Sequence, residues 1–145
     1  MSLVFDLESN GLLDELDTIH CIAIHDTACR DRRVDSLKIY HGTDGINEAL
    51  DLLAEDDEII GHNIISFDIP ALQKVYPSWK PKGKVTDTLV ISRLVAADLQ
   101  NDDATSLGLP EGFQRRMFGS HALKAWGLRM GTMKGDYDGG WETCN

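Results

Sequence analysis

The sequence predicts one α/β domain in which a mixed sheet is flanked by helices. Three strand-like segments come first, a helix-periodic stretch and a further strand follow them, and the later apolar residues recur at helical spacing. The 145 residues, 42% of them hydrophobic, suffice for one sizeable core and are too few for two ordinary domains.

Residues 3–7 read as the first strand and 19–24 as the second. The "NGLLDELDT" between them carries the turn pair Asn10-Gly11 but is too long for a two-residue hairpin. "DTACRDRR" is a polar turn before a third strand at 36–40. After Gly42 the period changes: Ile46, Leu50 and Leu53 recur at helical spacing, with Asp44 as the candidate cap. The acids of 55–58 sit badly with a helix C-terminus and mark an exit loop. A short strand at 58–61 leads into "GHNIISFDIPAL". Residues 69–76 read as helix with Pro70 in its first turn, and "YPSWKPKGK" ends it. Residues 88–97 form another helix with Leu89, Ile91, Leu94 and Val95 apolar. "DLQNDDATSLGLPEGFQRR" reads as loop, and 121–128 as a final helix with Leu123 and Trp126 inward.

A net charge of -10, from 24 acidic and 14 basic residues, excludes diffuse attraction as the way this chain holds a polyanion. Nucleic acid would be held locally, by bound cations, helix termini and a few basic side chains such as those at 80–84 or Arg115 and Arg116. Cys21, Cys29 and Cys144 are an odd set without a CxxC, which fits a reducing, intracellular setting. No apolar run reaches the length of a membrane span, so a soluble chain without a membrane partner is expected. The glycine-rich "GDYDGGWETCN" predicts a frayed tail or a chain that continues.

Side chains alternate along a strand, so Asp6 and Glu8 share one face while Phe5 and Leu7 share the other. Two carboxylates on one face repel unless a cation lies between them, and hard divalent ions take oxygen ligands. A solvated face on a half-buried strand gives the same pattern without any chemistry. Asp68 stands at the start of a predicted helix, where a plain N-cap would also stand. Asn63 before it offers an amide, and Phe67 and Ile69 anchor the segment on both sides of the acid, more than an exposed cap requires.

In order, "FDLESNGLL", "HNIISFDIPAL", "TDTLVISRL" and "FGSHALKAWGLRMGTMKGDY" resemble the 3'-5' exonuclease domain of bacteriophage T7-type family A DNA polymerases, within the DEDD exonuclease superfamily. The likeness runs from residue 4 to about residue 137. It implies the ribonuclease H-like fold, with a mixed sheet of five strands. It also implies two divalent cations, Mg2+ or Mn2+, with Asp6, Glu8 and Asp68 as metal-binding and catalytic acids. Leu12 matches a leucine that packs on the terminal base, Asn63 the asparagine of the second motif, and Ser9, Phe67 and Lys134 fall on the substrate side. Asp87 and His121 take structural or supporting places. The fourth acid and the Tyr or His that orients water belong to a third motif that this chain lacks; Asp136, Tyr137 and Asp138 do not fit it.

The resemblance implies removal of 3'-terminal nucleotides from single-stranded DNA, with the remainder of a polymerase polypeptide as partner and a bacterial cytoplasm as setting. The isolated domain, residues 1–145 and incomplete at its C-terminus, is expected to be weak or inactive. A free-standing exoribonuclease or oligoribonuclease would share the first two motifs, and an inactive interaction fragment is the third reading. A dinucleotide fold is disfavoured because no GxGxxG follows the first strand, and a calcium loop because the acids lie on separate elements.

Overall fold

The computed structural model describes residues 1–28, 36–106 and 108–132. The chain divides into two compact units, Met1–Ile91 and Ser92–Asn145. The first unit holds a five-stranded sheet built from β1 (Ser2–Ser9), β2 (Ile19–Asp26), β3 (Leu37–His41), β4 (Glu58–Gly61) and β5 (Lys84–Asp87), in the order β3-β2-β1-β4-β5. β1, β2 and β3 pair antiparallel, whereas β4 and β5 run parallel to β1, so the sheet is mixed.

β1 follows the two-residue period of its sequence: Leu3, Phe5 and Leu7 are buried, and Val4, Asp6 and Glu8 are exposed. Its register with β2 shifts between Glu8 and Ser9, where Glu8 faces Cys21 and Ser9 faces Ile19. The extra residue of β2 lets both Ile19 and Ile22 turn inward although their spacing breaks the alternation. Helix α1 (Gly42–Glu55) buries Ile46, Ala49, Leu50 and Leu53. No side chain caps it, and Asp44 lies in its first turn instead of the cap position. Trp79 closes the same core, its indole N–H donating 2.9 Å to the Leu50 carbonyl.

β4 leads through a tight turn to α2 (Asp68–Val75), with Pro70 in the first turn as its sequence requires. β5 is a strand of four residues that the sequence pattern does not reveal, because "KPKGKVTD" offers only one apolar residue in its short run. The chain then enters α3 (Thr88–Val95), which spans the boundary of the two units.

In the second unit, α4 (Leu99–Thr105) replaces the loop expected there, and α5 (Leu123–Met130) is the final helix. "LQNDDAT" has one apolar side chain besides alanine, so no periodicity announces a helix. Its anchor is ionic: the buried Asp103 receives two N–H bonds from Arg129, at 2.9 and 2.6 Å, and the backbone N–H of Gly119 at 2.8 Å. The Arg129 guanidinium lies 4.9 Å from the Phe113 ring centre and 5.0 Å from that of Trp126. Among the described residues, no helix is long and apolar enough to cross a membrane.

Candidate active site

Three parallel strands finish at the same end of the sheet, and each delivers polar residues there. β1 brings Asp6 and Glu8, the turn after β4 brings Asn63 and then Asp68, and β5 ends on Asp87. β1 pairs with β4 only over Ser2, Leu3 and Val4, so its second half has no strand partner on that side. Asp68 fills this gap: its carboxyl faces the backbone amide of Leu7, and the residue is 4% exposed.

Burial, and then the negative charge of Asp6, push the Asp68 carboxyl up to about 6, against the pull of nearby backbone amides. None of Asp6, Glu8 and Asp68 is in an ion pair among the described residues. Asp6 and Asp68 thus lie within electrostatic reach of one another, and no cationic side chain among the described residues pairs with either. Glu8 shares the face of Asp6, beside the shift in register. No group of three or more His, Cys, Asp or Glu side chains among the described residues is arranged to hold a metal ion. Two electrostatically coupled carboxylates with no ion pair among the described residues are nevertheless the donor chemistry that a hard divalent cation takes, so Asp6 and Asp68 fit such an ion in donor type.

The segment carrying Asp68 is held by backbone geometry. At Gly61 an added Cβ would lie 2.3 Å from the Cγ2 of Ile64 and 2.9 Å from the Phe5 carbonyl, so only glycine lets β4 pass between them. Asn63 has φ 69°, a left-handed conformation that asparagine tolerates better than most residues, and its carbonyl accepts the N–H groups of Ser66 and Phe67. Phe67 is the residue before α2 and packs against the core.

Asp87 fastens this turn from the neighbouring strand. Its buried carboxylate accepts N–H bonds from Asn63 at 2.9 Å, Ile65 at 3.1 Å and Leu89 at 2.9 Å. Burial alone would raise its pKa, but the amides of Ile65, Asn63, Leu89 and Val90 outweigh it and hold the carboxyl below the ordinary range. His62 adds a second tie, its Nδ1 lying 3.0 Å from the Thr88 hydroxyl, which donates to the Gly61 carbonyl.

The loop after β1 presents Leu12, 74% exposed, on a well-bonded frame. Ser9 spends its hydroxyl on the Gly11 carbonyl, at 2.9 Å. The Asn10 side chain bonds Asp17 and the Thr18 amide, closing the loop at its base. Lys74 of α2 donates to the carbonyls of Leu13 and Asp14. Nothing in the sequence singles out Lys74, because a bond from a side chain to a distant carbonyl leaves no spacing signature.

In the second unit, the His121 ring sits 3.0 Å from the Ser92 hydroxyl, and the cap position of α5 belongs to Ala122, without a side-chain cap. Lys134 and the residues 136–138 lie outside the described residues.

Comparison of the fold gives exonuclease I twice at 14% identity. One structure, from E. coli in its zinc-bound complex with single-stranded DNA, superposes with a TM-score of 0.58 over 90% of this chain and 35% of that one. Another structure of exonuclease I gives a TM-score of 0.59 with the same coverage. The molecule thus has the ribonuclease H-like α/β fold found in exonucleases.

In sequence the chain is 37% identical to the DNA-directed DNA polymerase of Enterobacteria phage T3, across 93% of this chain and 20% of that protein. It is 33% identical to the DNA-directed DNA polymerase of Escherichia phage T7, with the same coverage. The chain spans about a fifth of the length of these curated relatives. No protein-family model matches it. The chain is therefore related, over nearly all its length, to a segment of phage T7-type DNA polymerases, in agreement with the resemblance of its motifs to their 3'-5' exonuclease domain.

Proposed function

We propose that this chain is a 3'-5' exonuclease domain that hydrolyses the 3'-terminal phosphodiester of single-stranded DNA and releases nucleoside 5'-monophosphates. The observation that carries the reading is the buried Asp68 carboxyl, which feels the charge of Asp6 and has no ion pair among the described residues, at the end of the sheet where three parallel strands finish.

Asp6 and Asp68, with Glu8 beside them, are the residues that would hold two Mg2+ or Mn2+ ions. Such ions would supply charge for the phosphate and a more acidic water. The protein's own part is placement. Asp87 and the turn at Asn63 keep Asp68 from retreating along α2, and the buried face of β1 fixes the backbone that carries Asp6 and Glu8. Leu12 offers an apolar surface to the terminal base, a contact indifferent to sequence, with Ser9, Asn63 and Phe67 on the substrate side. Asp87 and His121 are supporting residues. The remainder of a polymerase polypeptide is the partner that the short coverage of the relatives supports.

Calorimetric titration with Mn2+, alongside release of nucleotides from 3'-labelled single-stranded DNA, tests this. Saturable binding and slow stepwise release, both lost in Asp6→Ala, are expected. Cleavage that survives the substitution would refute the reading, and the absence of both signals would mean that this chain supplies only the scaffold of the site. An RNA substrate in the same assay separates the exoribonuclease alternative.

A further inference from the structure

We propose that Lys74 is a positioning residue that sets the place of Leu12 relative to Asp68. This rests on the reading of Leu12 as the surface that meets the terminal base.

Backbone and side-chain hydrogen bonds close the frame around Leu12 on both sides. The Leu12 carbonyl accepts the N–H of Glu15 at 2.9 Å and of Leu16 at 2.7 Å, and Leu16 is 1% exposed. Asn10 and Thr18 close the base, the Asn10 N–H donating 3.1 Å to the Thr18 carbonyl. The two carbonyls that follow Leu12, those of Leu13 and Asp14, converge on the Lys74 ammonium at 2.6 and 3.1 Å. Those bonds cross 61 and 60 residues of chain, so they join the loop to a separate element.

That element is α2, whose first residue is Asp68 and whose last turn carries Lys74. One short helix thus holds an acid of the site at its start and the base-contacting loop at its end. A helix-terminal lysine interacting only with the helix dipole would need no partner across the chain. Two aligned acceptors on one ammonium also confine a side chain that otherwise retains much rotamer freedom. The gain is a fixed offset between the surface that grips the last base and the carboxylates that address its phosphate, where small misplacements are costly.

The test uses the whole chain and three variants: Lys74→Met, which keeps the stem and removes the donors, Lys74→Arg, which restores donors, and Leu12→Ala. In amide hydrogen exchange, Lys74→Met is expected to speed exchange of Glu15 and Leu16 about tenfold while leaving the β1–β2 amides unchanged, and Lys74→Arg to recover most of the protection. A single-stranded oligonucleotide with 2-aminopurine at its 3' end reports the terminal base, and anisotropy of a 5'-labelled copy reports overall binding. Lys74→Met should lose the 2-aminopurine response while overall binding stays within about threefold, Leu12→Ala should lose the response too, and Lys74→Arg should retain it. Undiminished protection of Glu15 and Leu16 in Lys74→Met, or an unchanged 2-aminopurine response in that variant, overturns the proposal. Absence of oligonucleotide binding by the unsubstituted chain instead overturns the functional reading, and the exchange data still decide whether Lys74 holds the loop.

Discussion

The Asp87 carboxylate accepts the backbone N–H of Asn63 at 2.9 Å, so the end of β5 is tied to the turn that follows its neighbour β4. With the bonds from Ile65 and Leu89 it gathers amides from the turn and from the start of α3 on one buried group. A side chain in this arrangement substitutes for missing backbone pairing where the sheet gives way to loops.

Replacing Asp87 by alanine should therefore destabilise the protein by about 3 kcal/mol, since buried amides lose their acceptor, and Asp87→Asn should cost less. Because the folded carboxyl lies below the unfolded value of 3.8, its contribution is present above that pH and disappears as the pH falls through the folded value. The difference in urea midpoint between Asp87→Asn and the unsubstituted chain should accordingly shrink on acidification below about pH 4.

Asp68 has the opposite sign. Its folded carboxyl titrates near 6 against 3.8 when unfolded, so the folded state binds the proton more tightly and loses stability as the pH rises between those values. Asp68→Asn should make the metal-free chain more stable by about 2 kcal/mol at pH 7.5, with little change at pH 4. Urea unfolding of both chains at the two pH values checks this.

Gly61→Ala should destabilise the first unit by about 2 kcal/mol, because the new methyl meets a buried, branched Ile64 and the Phe5 carbonyl. Thermal melting with near-ultraviolet detection would measure the loss, and the paired variant Gly61→Ala with Ile64→Ala should recover less than the whole, since the carbonyl remains.

Arg129→Met leaves Asp103 buried without its counter-charge and should cost about 3 kcal/mol in the second unit. The guanidinium beside Asp103 holds that carboxyl below the ordinary range, and removing it should move the titration upward. Chemical-shift titration of Asp103 in the two chains reads the change directly.

The alternation of Leu3, Phe5 and Leu7 with Asp6 and Glu8 is legible in the sequence because a strand's two faces are written two residues apart. Asp68 is legible for a similar local reason, its neighbours Phe67 and Ile69 being apolar on either side. What escapes such reading depends on partners far along the chain. β5 takes its strand form from pairing with β4, and α4 is held by the ion pair to Arg129. Lys74 serves backbone groups, which every residue possesses and no residue type advertises, and the supporting place of Asp87 comes from the motif resemblance and not from any spacing. The inward turn of both Ile19 and Ile22 follows from a bulge, visible only in the register of two strands.

The pairing of β1 with β4 also sets the order in which the edge of the sheet can assemble. Ser2 and Glu58 are separated by 56 residues, and β5 adds a further crossover, whereas β1 and β2 are joined by one short loop. The antiparallel half can zip locally, but the parallel half must first close long loops. The approach of Asp6 and Asp68 therefore depends on the long-range half of the sheet, since the β1–β2 pairing closes without bringing α2 near β1.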